Sequence, residues 1–190
     1  MIKKCFIWCL IFKVLILTLP GSANGGQQEI EKIYRITKNR VLKLNFPLDW
    51  KDDIAPATDN SSYTIKLNPS SFVVTTRAVI NVFWDTKGEK KFNNAEQVKL
   101  KLEKKGKRLL ENAVQSRLNL KEIKGKTSLG YYYLLTDKAP KPGGYKFIIQ
   151  GGLGVGNLLI MYTIFSNEKY SEFSTLILKM VTTAEQLDRR

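Results

Sequence analysis

Histidine is absent from this chain of 190 residues, and its two cysteines, Cys5 and Cys9, both fall near the N-terminus. Without histidine, neither a Ser-His-Asp nor a Cys-His arrangement can be built, and the usual zinc and iron ligand sets are missing. Only carboxylate, lysine, tyrosine or backbone chemistry remains, so an enzyme is the least favoured reading and no cofactor is expected. Acids are scarce as well: 17 Asp and Glu stand against 31 Lys and Arg, a formal charge of +14. A charge of that size favours acidic partners, such as anionic lipid headgroups, acidic glycans or the acidic face of another protein. Its alternative use is solubility alone.

The first residues have the three parts of a secretory signal peptide. Lys3 and Lys4 are followed by an apolar run from Cys5 to Leu19 and then by Pro20-Gly21-Ser22-Ala23. The run is short for a bilayer span and Lys13 interrupts it; an uncleaved anchor is the alternative. Cleavage after Ala23 removes both cysteines, and neither has the setting of a lipoprotein cysteine. The 190 residues less these 23 leave 167, enough for one domain whose core needs no disulfide. The leader holds three lysines and no acid, so the formal charge of +14 falls to +11 on its removal. The expected organisation is a signal peptide over 1–23, a flexible lead-in over 24–29, one domain over 30–185 and a frayed tail over 186–190. Nucleic acid is set aside as a partner because an exported chain seldom meets it.

A helix is expected from Asn94 to Leu118. Asn93 or Asn94 can cap it, with Gln97 three residues after Asn94 as in a capping box. Val98, Leu102, Leu109, Leu110 and Ala113 recur at helical spacing. Gly106 falls on that apolar face and signals close approach to a sheet, since glycine there weakens a helix by about 1 kcal/mol relative to alanine. Strands are expected around Ile30–Ile36, Val41–Phe46, Tyr63–Leu67 and Phe72–Trp84 before the helix. After it they are expected over Leu118–Lys126, Leu129–Thr136, Tyr145–Gln150 and Asn157–Phe165. Lys51 to Ser62 has the composition of a surface loop, and its Asn60-Ser61-Ser62 is a formal glycosylation sequon. A last helix from Glu168 to about Thr183, capped by Ser166 or Asn167, carries Phe173, Leu176, Ile177 and Met180 on its buried stripe. This order gives an α+β class, with an antiparallel sheet of about six to seven strands flanked by helices.

Phe46-Pro47-Leu48-Asp49-Trp50, the strand Ala78-Val79-Ile80-Asn81-Val82 and the helix start Asn94-Ala95-Glu96-Gln97 resemble the DcrB/PsbP-like superfamily. The late paired strands and the C-terminal helix fit the same pattern, from about Val41 to Thr183. The resemblance implies a PsbP-like antiparallel sheet sandwiched by helices. It also implies a non-catalytic protein, since relatives serve as adaptors, assembly factors, small chaperones or subunits of complexes. The family has no shared catalytic motif to place on these residues.

Four candidates for chemistry remain, each with a plain structural alternative. Asp49, Asp52 and Asp53 could hold a hard cation but lack calcium-loop spacing, so a solvated acidic turn is the stronger reading. The glycines from Gly151 to Gly156 could cradle a phosphate only if a helix followed; a strand follows, which favours a hairpin turn or bulge. Tyr131 and Tyr133 share one strand face and Tyr132 the other, and a structural role outweighs an aromatic groove. The basic face of Lys101, Lys104, Lys105 and Arg108 is the interaction candidate, with Lys121, Lys124 and Lys126 on the next strand. It would dock an envelope protein with an acidic surface or an anionic membrane; its alternative is an ordinary solvated face. The leading expectation is an exported periplasmic or extracellular adaptor or complex-assembly factor. The second is a binding module for an anionic small ligand, lipid or glycan.

Overall fold

The computed structural model describes residues 28–56, 62–70, 76–86, 92–169 and 171–188. The expected signal peptide, Asn60 and Ser61 of the sequon, and most of the expected lead-in lie outside the described residues. In chain order the elements are β1 (Glu29–Arg35), β2 (Arg40–Pro47), β3 (Trp50–Pro56), β4 (Ser62–Pro69) and β5 (Thr76–Trp84). The helix α1 (Ala95–Leu109) follows. Then come β6 (Lys121–Lys124), β7 (Leu129–Thr136), β8 (Phe147–Val155), β9 (Leu158–Ser166), α2 (Glu172–Thr182) and β10 (Glu185–Asp188). Seven strands form the main sheet in the order β3-β4-β5-β9-β8-β7-β6, and β1-β2-β10 form a second sheet; every pair is antiparallel. The fold is therefore α+β with a seven-stranded antiparallel sheet, as expected, joined by a three-stranded sheet that was not.

The two faces of the main sheet follow from strand alternation. Ala78, Ile80 and Val82 of β5 pair with Ile164, Tyr162 and Ile160 of β9. With Leu42, Leu44 and Phe46 of β2 and Phe173, Ile177 and Met180 of α2 they form the larger core. On the opposite face Val98 and Leu102 of α1 pack on Tyr133, Leu135 and Leu159. The layers are α1, then the main sheet, then α2 beside the small sheet.

The Phe46–Trp50 stretch is where the chain leaves the small sheet and joins the large one. Phe46 and Trp50 meet edge-on at 6.1 Å between ring centres, and Trp50 lies 5.0 Å from the Phe173 ring. Such aromatic contacts give about 0.5–1.5 kcal/mol beyond area burial. Phe46 and Trp50 of the resemblance are core, while Leu48 and Asp49 between them are exposed in the turn.

Four boundaries differ from expectation, each for a physical reason. The polar stretch after Trp50 is the strand β3, because Trp50, Asp52 and Ile54 alternate with Lys51 and Asp53 in register with β4. The frayed tail expected over 186–190 is, through Asp188, part of β10, which pairs with β2 from Glu185↔Lys43 to Asp188↔Arg40. The first helix stops at Leu109 and tightens into a 3-10 turn at Leu110–Asn112. Beyond it Ala113 is extended and Val114 donates to the Thr136 carbonyl. The second helix starts later than expected, with Ser171 as its cap.

The glycine-rich segment also differs. Gly151, Gly152 and Gly154 lie inside β8, and the turn to β9 is made by Gly156-Asn157 alone. Gly156 has φ +57°, which glycine adopts without strain.

Candidate functional site

Helix α1 begins as its sequence dictates. Asn94 is the cap, its Oδ1 accepting the Gln97 N–H at 2.9 Å. Asn93 plays a separate part, since its Nδ2 donates to the carbonyls of Gly156 and Leu158 at 2.7 and 2.9 Å. The start of α1 is thereby pinned to the β8–β9 hairpin. At the other end Gly106 lets the helix sit low. A Cβ there would stand 2.6 Å from Leu118 Cδ1 and 3.1 Å from Tyr133 Cε1. The expectation of close approach holds, with the returning chain as well as the sheet pressing on the glycine.

Seated this way, α1 covers β7 and β8. Between the helix and the strands β5 and β9, where α1 covers only part of β9, lies a cleft of about 430 Å³, within the range of small-molecule sites. Its floor is apolar: Phe83, Leu159, Met161 and, from the chain entering α1, Phe92. Lys101 and Lys105 line the helix side. Asn81 stands across from them, its Oδ1 accepting from Thr64 Oγ1 at 2.8 Å, which leaves Nδ2 as its donating end.

All four residues of the predicted basic face are exposed on α1. At 100° per residue they form one row, but only Lys101 and Lys105 reach the cleft; Lys104 and Arg108 do not line it. None of the four forms an ion pair among the described residues. Lys32, Lys43, Lys66, Lys126 and Lys179 all do.

The lysines expected nearby are dispersed by register. Lys121 opposes Tyr132 and Lys124 opposes Leu129, so only Lys124 shares the α1 side of the sheet. Lys126 turns to the other side, where its N–H donates to the Thr182 carbonyl and its ammonium binds Glu185. Lys43 reaches the same carboxylate at 2.8 Å. Held first by Lys126 and then by Lys43, the Glu185 carboxyl is pulled down to about 2.

The acidic cluster is divided: Asp49 is exposed in the turn between β2 and β3, as a solvated turn requires, while Asp52 and Asp53 belong to β3. Asp52 faces inward from β3, 15 % exposed, bound by Lys32 Nζ at 2.5 Å and Tyr34 Oη at 2.7 Å. Burial raises its pKa, but those two hydrogen bonds outweigh it and hold the carboxyl below its usual value. Asp53 points to the opposite face, 3.5 Å from Lys66. The two carboxylates diverge, and no group of three metal-binding side chains occurs among the described residues.

Of the three tyrosines, Tyr133 is a core residue. Tyr133 is fully buried under α1 and donates to Gln150 Oε1, and Gln150 Nε2 donates to Thr163 Oγ1 at 3.2 Å. This chain crosses β7, β8 and β9 and fixes the sheet beneath the helix. Tyr131 lies under Lys99, 5.8 Å from its ammonium.

No protein-family model and no characterised protein matches the sequence. Among solved structures the chain is similar to the solution structure of cyanobacterial PsbP (CyanoP) from Synechocystis sp. PCC 6803. The TM-score is 0.51 at 10% identity, over 90% of this chain and 99% of that one. A crystal structure from Bacteroides thetaiotaomicron VPI-5482 is matched at a TM-score of 0.34 and 14% identity, over 78% of this chain and 45% of that one; that value carries no argument. At such identities the likeness is one of fold: the chain has a PsbP-like fold. Nothing found bears on the DcrB half of the resemblance. No helix among the described residues is long and apolar enough to cross a membrane.

Proposed function

We propose that this PsbP-like chain is an exported, non-catalytic interaction protein of the cell envelope, an adaptor or complex-assembly factor that docks an acidic partner protein through α1. One observation carries the reading: Lys101, Lys104, Lys105 and Arg108 form an exposed cationic row, and none of them forms an ion pair among the described residues. Within that row Lys101–Lys105 and Lys104–Arg108 are like charges at i,i+4, and each such pair destabilises a helix by about 0.2–0.5 kcal/mol. A face made only for solubility would interleave signs and avoid that cost. The composition supports the same reading, since an excess of positive charge steers an anionic surface toward the protein.

The test is capture from envelope extract with tagged full-length protein, in parallel with the variant K101Q/K104Q/K105Q/R108Q. Expected is one protein held by the wild type at low salt, released as salt rises, and not held by the variant, whose Tm stays within about 2 °C of the wild type. Equal capture by both proteins would refute the docking face. Capture of nothing, with salt-sensitive binding to anionic vesicles, would move the partner from protein to membrane surface.

A further inference from the structure

We infer that the cleft beneath Lys101 and Lys105 is a binding site for a small amphiphilic mono-anion, an apolar body carrying one carboxylate, sulfonate or phosphate group. The site is separate from docking in its chemistry and shares only those two lysines with the proposed docking face.

Three features of the cleft select that class. Half-buried Phe83, Phe92 and Met161 face open space in the floor, and an apolar surface held out of the core in a concavity gains most by covering itself with an apolar body. Lys101 and Lys105 stand one helical turn apart on the same wall, so two ammonium groups converge on one anionic group. Neither lysine forms an ion pair among the described residues. The rest of the lining sets the polarity. Asn81 offers its amide N–H across from the lysines. One anionic group therefore fits at the lysine wall.

The cleft owes its existence to the seating of α1. Asn93 ties the helix start to the β8–β9 turn, and Gly106 lowers the other end onto Tyr133. The helix is thus fixed over β7 and β8, and its basic edge overhangs β9 and β5 without closing on them. The lysine wall is held in place by these contacts before any ligand arrives, which lowers the ordering cost of binding.

The test uses a matched pair of fluorescent probes on the full-length protein. 1-Anilinonaphthalene-8-sulfonate has an apolar ring body and one sulfonate; N-phenyl-1-naphthylamine is the same body without it. Expected is saturable one-to-one binding of the sulfonate, weakened about tenfold by K101Q/K105Q. The neutral probe should be unaffected by that pair. Thr86→Trp, an exposed lining position, should fill the cleft and abolish binding of both probes with no loss of Tm. K104Q/R108Q should leave the sulfonate titration unchanged. Sulfonate binding that is non-saturable, or indifferent to either K101Q/K105Q or Thr86→Trp, would overturn the inference. The docking proposal fails by a different sign, unaltered capture by the four-residue variant, so the two are told apart.

Discussion

Replacing Gly106 by valine puts the seating of α1 to a quantitative test. A Cβ at this position meets Leu118 Cδ1 at 2.6 Å, Leu118 Cδ2 at 2.8 Å and the Tyr133 ring at 3.1 Å, and valine adds two methyls beyond it. Leu118 is half-buried and its side-chain end can swing away. The Tyr133 ring is fully buried, with its hydroxyl held by Gln150, so it yields only by breaking a buried hydrogen bond. Overpacking of this kind costs about 1–3 kcal/mol. Valine recovers about 0.4 kcal/mol of helix propensity over glycine, which leaves a net loss of about 2 kcal/mol. For a domain of this size the Tm should fall by about 4–8 °C, read by circular dichroism or calorimetry. Adding Leu118→Ala should make room for the new methyls, so the double variant should lose less than the sum of the single losses, by about 1 kcal/mol. A Gly106→Val protein as stable as the wild type, or strictly additive losses, would refute the packing argument.

Asn94→Ala removes the α1 cap and should lower stability by about 1 kcal/mol, seen as a Tm drop of about 2–4 °C; an unchanged Tm would mean the cap bond carries nothing. Acid should weaken the tie between the small sheet and the chain after β6. The Glu185 carboxyl falls from 4.5 to about 2 in the folded protein. Its contribution is therefore complete above about pH 4.5 and is lost as pH falls toward 2; Asp52, also held below its ordinary value, acts with the same sign. Thermal melts of Glu185→Gln should lie below the wild type at pH 6 and converge with it near pH 2, and a difference that does not depend on pH would refute the assignment.

Much of the fold was legible because local physics and tertiary packing agreed. The Asn94 cap, the Val98–Leu102–Gly106 stripe and the alternation of β2, β4 and β7 each point to the element that forms. Where they parted, the sequence misled. Leu110 and Ala113 continue a helical spacing, yet the chain has already turned back along β7, where Ala113 is buried and half-buried Leu118 fills the space over Gly106. Lys51–Pro56 and Glu185–Asp188 have polar, loop-like composition, and only a neighbouring strand's free hydrogen bonds make them strands. The basic row was found correctly on α1, but its division into a cleft pair and an outward pair was hidden.

Composition and short-range pattern were enough to exclude histidine and cysteine chemistry from the body of the chain and to set the excess of positive charge. They also specified the antiparallel α+β class, through strand alternation and helix capping. The rest came from the packing of distant segments. Packing separated Asp52 from Asp53, gave Asp52 to Lys32 and Tyr34 across the two sheets, and turned Lys126 to the far side with Glu185. It also made the cleft, which needs Asn81, residues 83–86 and Phe92, the lysines of α1, and Leu159 and Met161 from β9. Periodicity reports which face of an element is apolar. Only the register of strands far apart in the chain decides which faces meet and which space is left open between them.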